Sequence, residues 1–314
     1  MIDKMKSVIL GHAVADALGV PVEFRDRSEV DKSPVTGMMG YGTYPYPAGS
    51  WSDDTSMSLC TLDSLANGSI DYTDIMNNFI KWLNENEYTP TGQTFDVGRT
   101  CRKSIMLYSQ TKDMENCGGT TENSNGNGSL MRIHPMTLYL YLRNDLSLDE
   151  KLEIIHKTSA LTHAHERSKI GCGIYSFVLW ELLDNHDKES VLIGLQKAQE
   201  YYEKYYEFDK YNRIFENTFI LTKREDMSSS GYVVSTLEAA LWCLLTTNDY
   251  KECVLKAVNL GDDTDTVGAV AGGLAGALYG IKAIPQVWLN VLQKRDYIVD
   301  MCERAVKIWT ATKV

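Results

Sequence analysis

The sequence predicts an all-α fold, and three observations carry that reading. Apolar residues recur at helical spacing over long segments, alternating strands are almost absent, and the seven prolines fall mainly between those segments. Hydrophobic residues make up 44 % of the 314-residue chain, enough for a sizeable core. No Gly/Ser- or Pro-rich linker divides it, so residues 1–314 are expected to form one compact multi-helix domain.

In chain order, the first helix is expected in "GHAVADALG", where Gly11, Ala15 and Gly19 put a small residue at every fourth position. "YTDIMNNFIKWL" follows, with Met76, Phe79, Ile80 and Leu83 at i, i+3, i+4 and i+7. "SLDEKLEIIHKT" opens with Ser147 and Glu150, a capping box in form. The aromatic, charged stretch 199–231 reads as a surface-lying helix followed by a loop at Ser228–Gly231. "VVSTLEAALWCLL" and "RDYIVDMCERAVKIW" are further long helices. In "VGAVAGGLAGALYGI", Gly268, Gly272, Gly276 and Gly280 mark one helix face. Each interior glycine costs a helix ~1 kcal/mol relative to alanine. Close approach of a neighbouring helix would offset that cost, so the two small-residue helices are expected at the centre of the core.

With 31 basic and 42 acidic residues the formal charge is −11, which argues against gripping nucleic acid over the whole surface. The seven cysteines are scattered, odd in number and without a CxxC, so neither a disulfide framework nor a zinc knuckle is indicated. The N-terminal apolar run is short for a signal peptide. The fifteen residues 267–281 fall short of the ~20 that span a bilayer. A cytoplasmic location is expected.

Two acidic, hydroxyl-rich knots stand out. "WSDDTS" places Ser52, Asp53, Asp54 and Thr55 before an apolar helix, and "GDDTDT" places Asp262, Asp263, Thr264, Asp265 and Thr266 before another. Ser, Thr and Asp cap helix starts, and the dipole favours negative charge there. One such residue suffices for a cap, and these knots hold more. Two carboxylates ~5 Å apart at an effective dielectric of ~20 repel by ~3 kcal/mol. A buried cluster should therefore protonate or bind cations, and hard divalent cations take oxygen ligands. The residues alone leave two readings open: helix caps with solvated acids, or a two-metal site built from both knots. "NSNGNGSLMRIHP" adds a turn that presents bare backbone N–H groups, and "LTHAHERS" adds His163 and His165.

In this order the pieces resemble the ADP-ribosylglycohydrolase family over nearly the whole chain. "GHAVADALGVPVEF" resembles its opening helix and following glutamate, and "WSDDTSM" its first metal motif. "FDVGRTCRKS", "NGNGSLMRIHP", "THAH" and "NLGDDTDTVGAVAGG" resemble later segments. The resemblance implies two Mg²⁺ or Mn²⁺ ions in a central cleft. Ser52, Asp53 and Asp54 from the first motif and Asp263, Asp265 and Thr266 from the second would ligate them. Glu23 and Asp96 match the catalytic acids, and Asn127, Gly128, Ser129 and His163 match positions near the ADP-ribose. Thr55 and Asp262 would cap or orient. Ala15 stands where many members have glycine, Ser52 replaces a threonine, and residues 185–230 match no motif.

The implied activity is metal-dependent hydrolysis of the bond between ADP-ribose and a protein side chain. The segment around Asp96 resembles arginine-directed members, so the N-glycosidic bond to arginine is the expected target. The alternatives are an O-linked conjugate (ADP-ribosyl-serine or O-acetyl-ADP-ribose), a non-catalytic ADP-ribose-binding relative, and a two-metal phosphohydrolase that releases AMP. The expected partner is an ADP-ribosylated protein or conjugate, with neither nucleic acid nor membrane.

Overall fold

The computed structural model describes residues 1–311, and among these there is no β-strand. The first half of the chain forms α1 (Ile2–Gly19), α2 (Arg27–Val30), α3 (Asp53–Leu65), α4 (Tyr72–Glu85), α5 (Arg99–Thr111), α6 (His134–Tyr141) and α7 (Leu148–Ala160). The second half forms α8 (Glu166–Asn185), α9 (Lys188–Tyr202), α10 (Val233–Leu245), α11 (Tyr250–Val258), α12 (Thr264–Tyr279), α13 (Gln286–Val291) and α14 (Arg295–Ala311). The capping box at Ser147 and Glu150 is present and starts α7.

The two small-residue helices pack backbone to backbone. A methyl group added at Gly11 of α1 would lie 2.5 Å from the Gly272 carbonyl oxygen of α12, and one at Gly272 would collide with the Gly11 carbonyl. One added at Gly19 would lie 2.5 Å from the Thr264 carbonyl oxygen. The C-terminal end of α1 therefore rests on the N-terminal end of α12. The Tyr250 hydroxyl of α11 donates to the Gly11 carbonyl at 2.6 Å and seals the pair. Helix α1 is long and apolar enough to cross a bilayer, yet 94 % of that window is buried by its neighbours. Gly280 lies just beyond the helix face expected for it: α12 stops at Tyr279, and Gly280 turns the chain with φ 79°.

The other helices wrap this centre. The Trp51 indole donates to the Gln293 carbonyl at 2.9 Å, and the Trp309 indole to the Leu65 carbonyl at 2.8 Å. These bonds hold both ends of α3 against the C-terminal segment.

The stretch 199–231 differs from its expected form. Helix α9 ends at Tyr202, and the chain continues through 3₁₀ turns at Tyr206–Phe215, Phe219–Leu221 and Arg224–Asp226. Its aromatic residues do not lie on the surface as one face; Tyr202, Phe208, Tyr211 and Phe219 are buried. Two glycines of α8 make the room. A methyl group at Gly171 would lie 2.5 Å from the Tyr211 hydroxyl, and one at Gly173 would collide with that of Tyr202. The loop at Ser228–Gly231 is present as expected.

Helix propensity and packing predict opposite outcomes for Gly272→Ala. Propensity favours alanine by ~1 kcal/mol. The added methyl meets backbone, which cannot rotate away, and overpacking of this kind costs ~1–3 kcal/mol. The substitution should lower the urea midpoint by the equivalent of ~2 kcal/mol; an unchanged or raised midpoint would show that α1 and α12 can separate without loss.

Candidate active site and metal centre

The site grows from the end of α1. Asp16 is fully buried on its last turn. Its carboxylate accepts the Ser52 N–H at 2.9 Å, the Thr55 N–H at 3.1 Å and the Thr55 hydroxyl at 2.6 Å. Asp16 thus caps α3 from a different helix, satisfying N–H groups that a helix start leaves unpaired. Ser52 is the N-cap itself, its hydroxyl accepting the Asp54 N–H at 3.3 Å. Asp53 and Asp54 follow on the first turn, both buried. The Gly98 N–H points at Asp53 Oδ2 across 3.4 Å.

The second knot begins α12, and the loop after α1 fastens it. Phe24 N–H donates to the Asp262 carbonyl at 2.8 Å, and Asp262 N–H donates to the Arg25 carbonyl at 2.8 Å. The Thr264 hydroxyl donates to the Gly19 carbonyl at 2.8 Å. The knots then touch each other: the Thr266 hydroxyl donates to Asp54 Oδ1 at 3.2 Å across 212 positions of sequence. Thr55 and Asp262 serve as holding residues, one through its hydroxyl and the other through its backbone.

Carboxylates converge where the knots meet. Oxygens of Asp16, Asp54 and Asp265 lie within 4.8 Å of one another, and so do oxygens of Glu23, Asp263 and Asp265. The two triads share Asp265. Four buried oxygens here have no hydrogen-bond partner: Glu23 Oε2, Asp54 Oδ2 and both oxygens of Asp265. Asp16 differs, because backbone and hydroxyl donors already fill its oxygens. Unpaired buried carboxylate oxygens are costly. Burial, and then mutual repulsion, pushes the Asp53, Asp54 and Asp265 carboxyls well above the usual range. Burial, with Asp96 and Asp263 next, raises Glu23 to about 11, and burial raises Asp16 to about 7 against its hydrogen bonds. An all-oxygen donor set with two overlapping triads fits hard divalent cations.

Of the residues expected near the ADP-ribose, Asn127 borders Asp263. Asn127 Nδ2 donates to Asp263 Oδ2 at 2.8 Å and to the Thr236 hydroxyl at 2.9 Å. Asn127 N–H donates to the Gly231 carbonyl at 2.9 Å, and Asp263 N–H to the Ser229 carbonyl at 3.1 Å. The Ser228–Gly231 loop therefore joins the ribose-side turn to the second knot. Gly128 leaves no space for a side chain: an added methyl would lie 2.7 Å from Cys101 Sγ and 2.8 Å from His163 Cε1. His163 is buried, with Nδ1 2.8 Å from the Thr162 hydroxyl, and burial, with the Arg132 charge next, lowers its pKa to about 3. Its imidazole is neutral at physiological pH. The Ser129 hydroxyl faces the core, where it accepts from Ser159 at 2.9 Å. Asp96 sits half-buried at the lip on a left-handed backbone, φ 49°.

Residues 1–313 match the family model described as ADP-ribosylglycohydrolase. The chain belongs to that family. It is 33 % identical to the ADP-ribosylarginine hydrolase Tri1 of Serratia proteamaculans, over 96 % of this chain and 79 % of that one. It is 31 % identical to the ADP-ribosyl-[dinitrogen reductase] glycohydrolase of Rhodospirillum rubrum, over 93 % and 91 % of the two chains. A solved structure titled ADP-ribosylglycohydrolase-related protein complex superposes with a TM-score of 0.82 at 31 % identity, covering 98 % of each chain.

Two parts of this glycohydrolase site escaped the sequence reading. Asp16 is one; its signal is a lone carboxylate inside an otherwise apolar helix, "AVADALG". Tyr44 is the other. Its phenol faces Glu23 and Asp96, and after burial these two carboxylates are what push its pKa upward. A tyrosine in a Pro/Tyr/Gly loop carries no periodicity to read.

The raised carboxyls set a sign for stability. A carboxyl raised on folding keeps a proton that the unfolded chain releases, so stability falls as pH climbs from the unfolded value to the folded one. For Asp16 that window runs from about 4 to about 7. Metal-free protein should melt at a lower temperature at pH 8 than at pH 5.5. Mg²⁺ or Mn²⁺ should raise the melting temperature more at pH 8, since cations and protons compete for the same oxygens. An equal effect at both pH values would separate cation binding from these carboxylates.

Proposed function

We propose that this chain hydrolyses the N-glycosidic bond between ADP-ribose and an arginine side chain, with two divalent cations, Mg²⁺ or Mn²⁺. The observation that carries it is the pair of carboxylate triads sharing Asp265, with four partnerless buried oxygens on Glu23, Asp54 and Asp265. A structural role has no use for such an arrangement, because each unpaired oxygen destabilises the fold. The arginine link is supported by the name of a relative alignable over 96 % of this chain, the arginine hydrolase of Serratia proteamaculans.

Ser52, Asp53, Asp54, Asp263, Asp265 and Thr266 would hold the cations; of these, Asp54, Asp263 and Asp265 belong to the converging triads, and Asp265 belongs to both. The bound ions supply Lewis acidity and neutralise the cluster. The protein's own groups do the rest. Asn127, whose amide and backbone N–H groups are engaged by Asp263, Thr236 and Gly231, would hold the ribose-side turn against the second knot, and Gly128 packs that turn on Cys101 and His163. Neutral His163 offers a ring without competing charge. In the reaction a water oxygen bonds to the anomeric carbon as the carbon–nitrogen bond breaks. The water's proton passes to a carboxylate, and the departing guanidine leaves as a guanidinium. Glu23 and Asp96 would make these transfers. The positive charge growing on the sugar in an oxocarbenium-like transition state is stabilised by the surrounding carboxylates.

The deciding experiment incubates the protein and Mg²⁺ or Mn²⁺ with ADP-ribosylated arginine and serine peptides and weighs the products. Intact ADP-ribose from the arginine peptide is expected. Release from the serine peptide alone would reassign the linkage, and AMP would mean a phosphohydrolase. Excess chelator should stop turnover. Glu23→Gln and Asp96→Asn should each lower kcat by ~10²–10⁴-fold with the fold retained. A near-wild-type rate in either would remove that residue from the chemistry.

A further inference from the structure

The lip of the site carries aromatic rings for which the hydrolysis itself has no use. Phe95 lies between two tyrosines, its centroid 4.9 Å from the Tyr44 ring and 4.5 Å from the Tyr46 ring. All three are half-buried, with area left for a ligand. Carboxylates flank them: Asp96 is the next residue, and the Tyr44 phenol faces both Asp96 and Glu23.

The lip is also built to stay in place. Thr43 N–H donates to the Pro21 carbonyl at 2.9 Å, and its hydroxyl to the Glu23 carbonyl at 2.7 Å. Tyr41 N–H donates to the Tyr46 carbonyl at 2.8 Å, and the Tyr46 hydroxyl to Gln93 Oε1 at 3.2 Å. Three non-glycine residues here have left-handed backbone: Phe24 at φ 64°, Tyr41 at 56° and Asp96 at 49°. Phe24 and Tyr41 are 65 % and 75 % exposed, so burial does not repay that strain. Strained backbone that gains nothing from the core is a mark of a functional lip.

We propose that Phe95, Tyr44 and Tyr46, with Asp96 and Glu23, form the subsite for the side chain from which ADP-ribose is removed, and that it selects a planar guanidinium. The proposal rests on the hydrolase reading above and deepens it. A guanidinium is cationic, flat and weakly hydrated. It stacks on aromatic faces and donates in its plane to carboxylates. The lip offers both in one place, a ring stack and two carboxylates. A serine ether has neither charge nor plane and would gain from neither. An adenine would stack and donate its amine to a carboxylate, but it brings no positive charge to the pair.

The test uses the full chain with Mn²⁺ and two substitutions outside the metal and acid–base set, Phe95→Leu and Tyr46→Leu, each checked by thermal melting. Both should raise KM for the ADP-ribosyl-arginine peptide by roughly tenfold, the scale of a partly desolvated cation–π contact. Both should leave inhibition by free ADP-ribose unchanged, and Phe95→Tyr should restore KM. Methylguanidinium should inhibit the wild type competitively, whereas methylammonium should not. Unchanged KM in a wild type that does cleave the arginine peptide would overturn the subsite and leave the hydrolase reading standing. Weaker ADP-ribose inhibition in the variants would also overturn it, since the rings would then hold the adenine. If the wild type fails to cleave the arginine peptide, calorimetry with methylguanidinium decides: binding lost in Phe95→Leu keeps the subsite while the linkage is wrong, and no binding sinks both.

Discussion

The contact of α1 with α12 is the constraint on which the site depends. Gly11 lies against Gly272 and Gly19 against Thr264, with the two backbones in direct contact. That contact places Asp16 and Glu23, from one helix and its exit, beside Asp263 and Asp265, from the start of the other. The carboxylates of the two triads thus come from segments more than two hundred residues apart and owe their positions to three glycines. Larger residues would push the helices apart and open the oxygen triads with them. Small residues in α1 and α12 are poor for helix propensity, and their use here makes sense as the geometric condition for the site.

Having brought the carboxylates together, the fold must then tolerate them. Asp16 shows one solution, with donors from Ser52 and Thr55 filling its oxygens. Asp263 shows a partial one through Asn127. Asp265 shows none: both of its oxygens lack partners, and both triads pass through it. This gradient separates positioning carboxylates from those left open for a ligand. It also corrects the emphasis of the sequence motifs, in which all acids of a knot look alike.

Most of this was legible in the sequence wherever periodicity or local chemistry forces a structure. The helices around Met76–Leu83 and after Ser147 follow from apolar spacing and a capping box, and the central pair follows from glycines every fourth residue. The joining of the knots was legible only as an electrostatic surplus: more acid than a cap can use. Three things were not legible. The 199–231 stretch has amphipathic spacing, yet its tyrosines fit into gaps left by Gly171 and Gly173 of another helix, which no local pattern reports. Asp16 is one residue whose partners lie 36 and 39 positions away. The Ser129 hydroxyl sits within a matching motif but faces Ser159 in the core, because side-chain direction in a turn is set by tertiary contacts.

The division of labour between core and lip follows from the same physics. Burial of the carboxylate cluster lowers the local dielectric and strengthens every electrostatic interaction made there, and that burial requires the rigid helices that supply the carboxylates. Recognition of a protein side chain must instead occur where that chain can arrive. In the proposed subsite it falls to the loops at 41–46 and 93–96, the first tied through Thr43 to the Pro21 and Glu23 carbonyls and the second joined to it by the Tyr46–Gln93 bond. Those ties matter in both directions. They hold the aromatic lip at a fixed distance from Glu23, and they make a member of the second triad also a residue that anchors the lip. In the proposed subsite, a substrate side chain seated on the rings would be registered against the carboxylates of the second triad. Selection and catalysis can then be tuned by different residues on one scaffold.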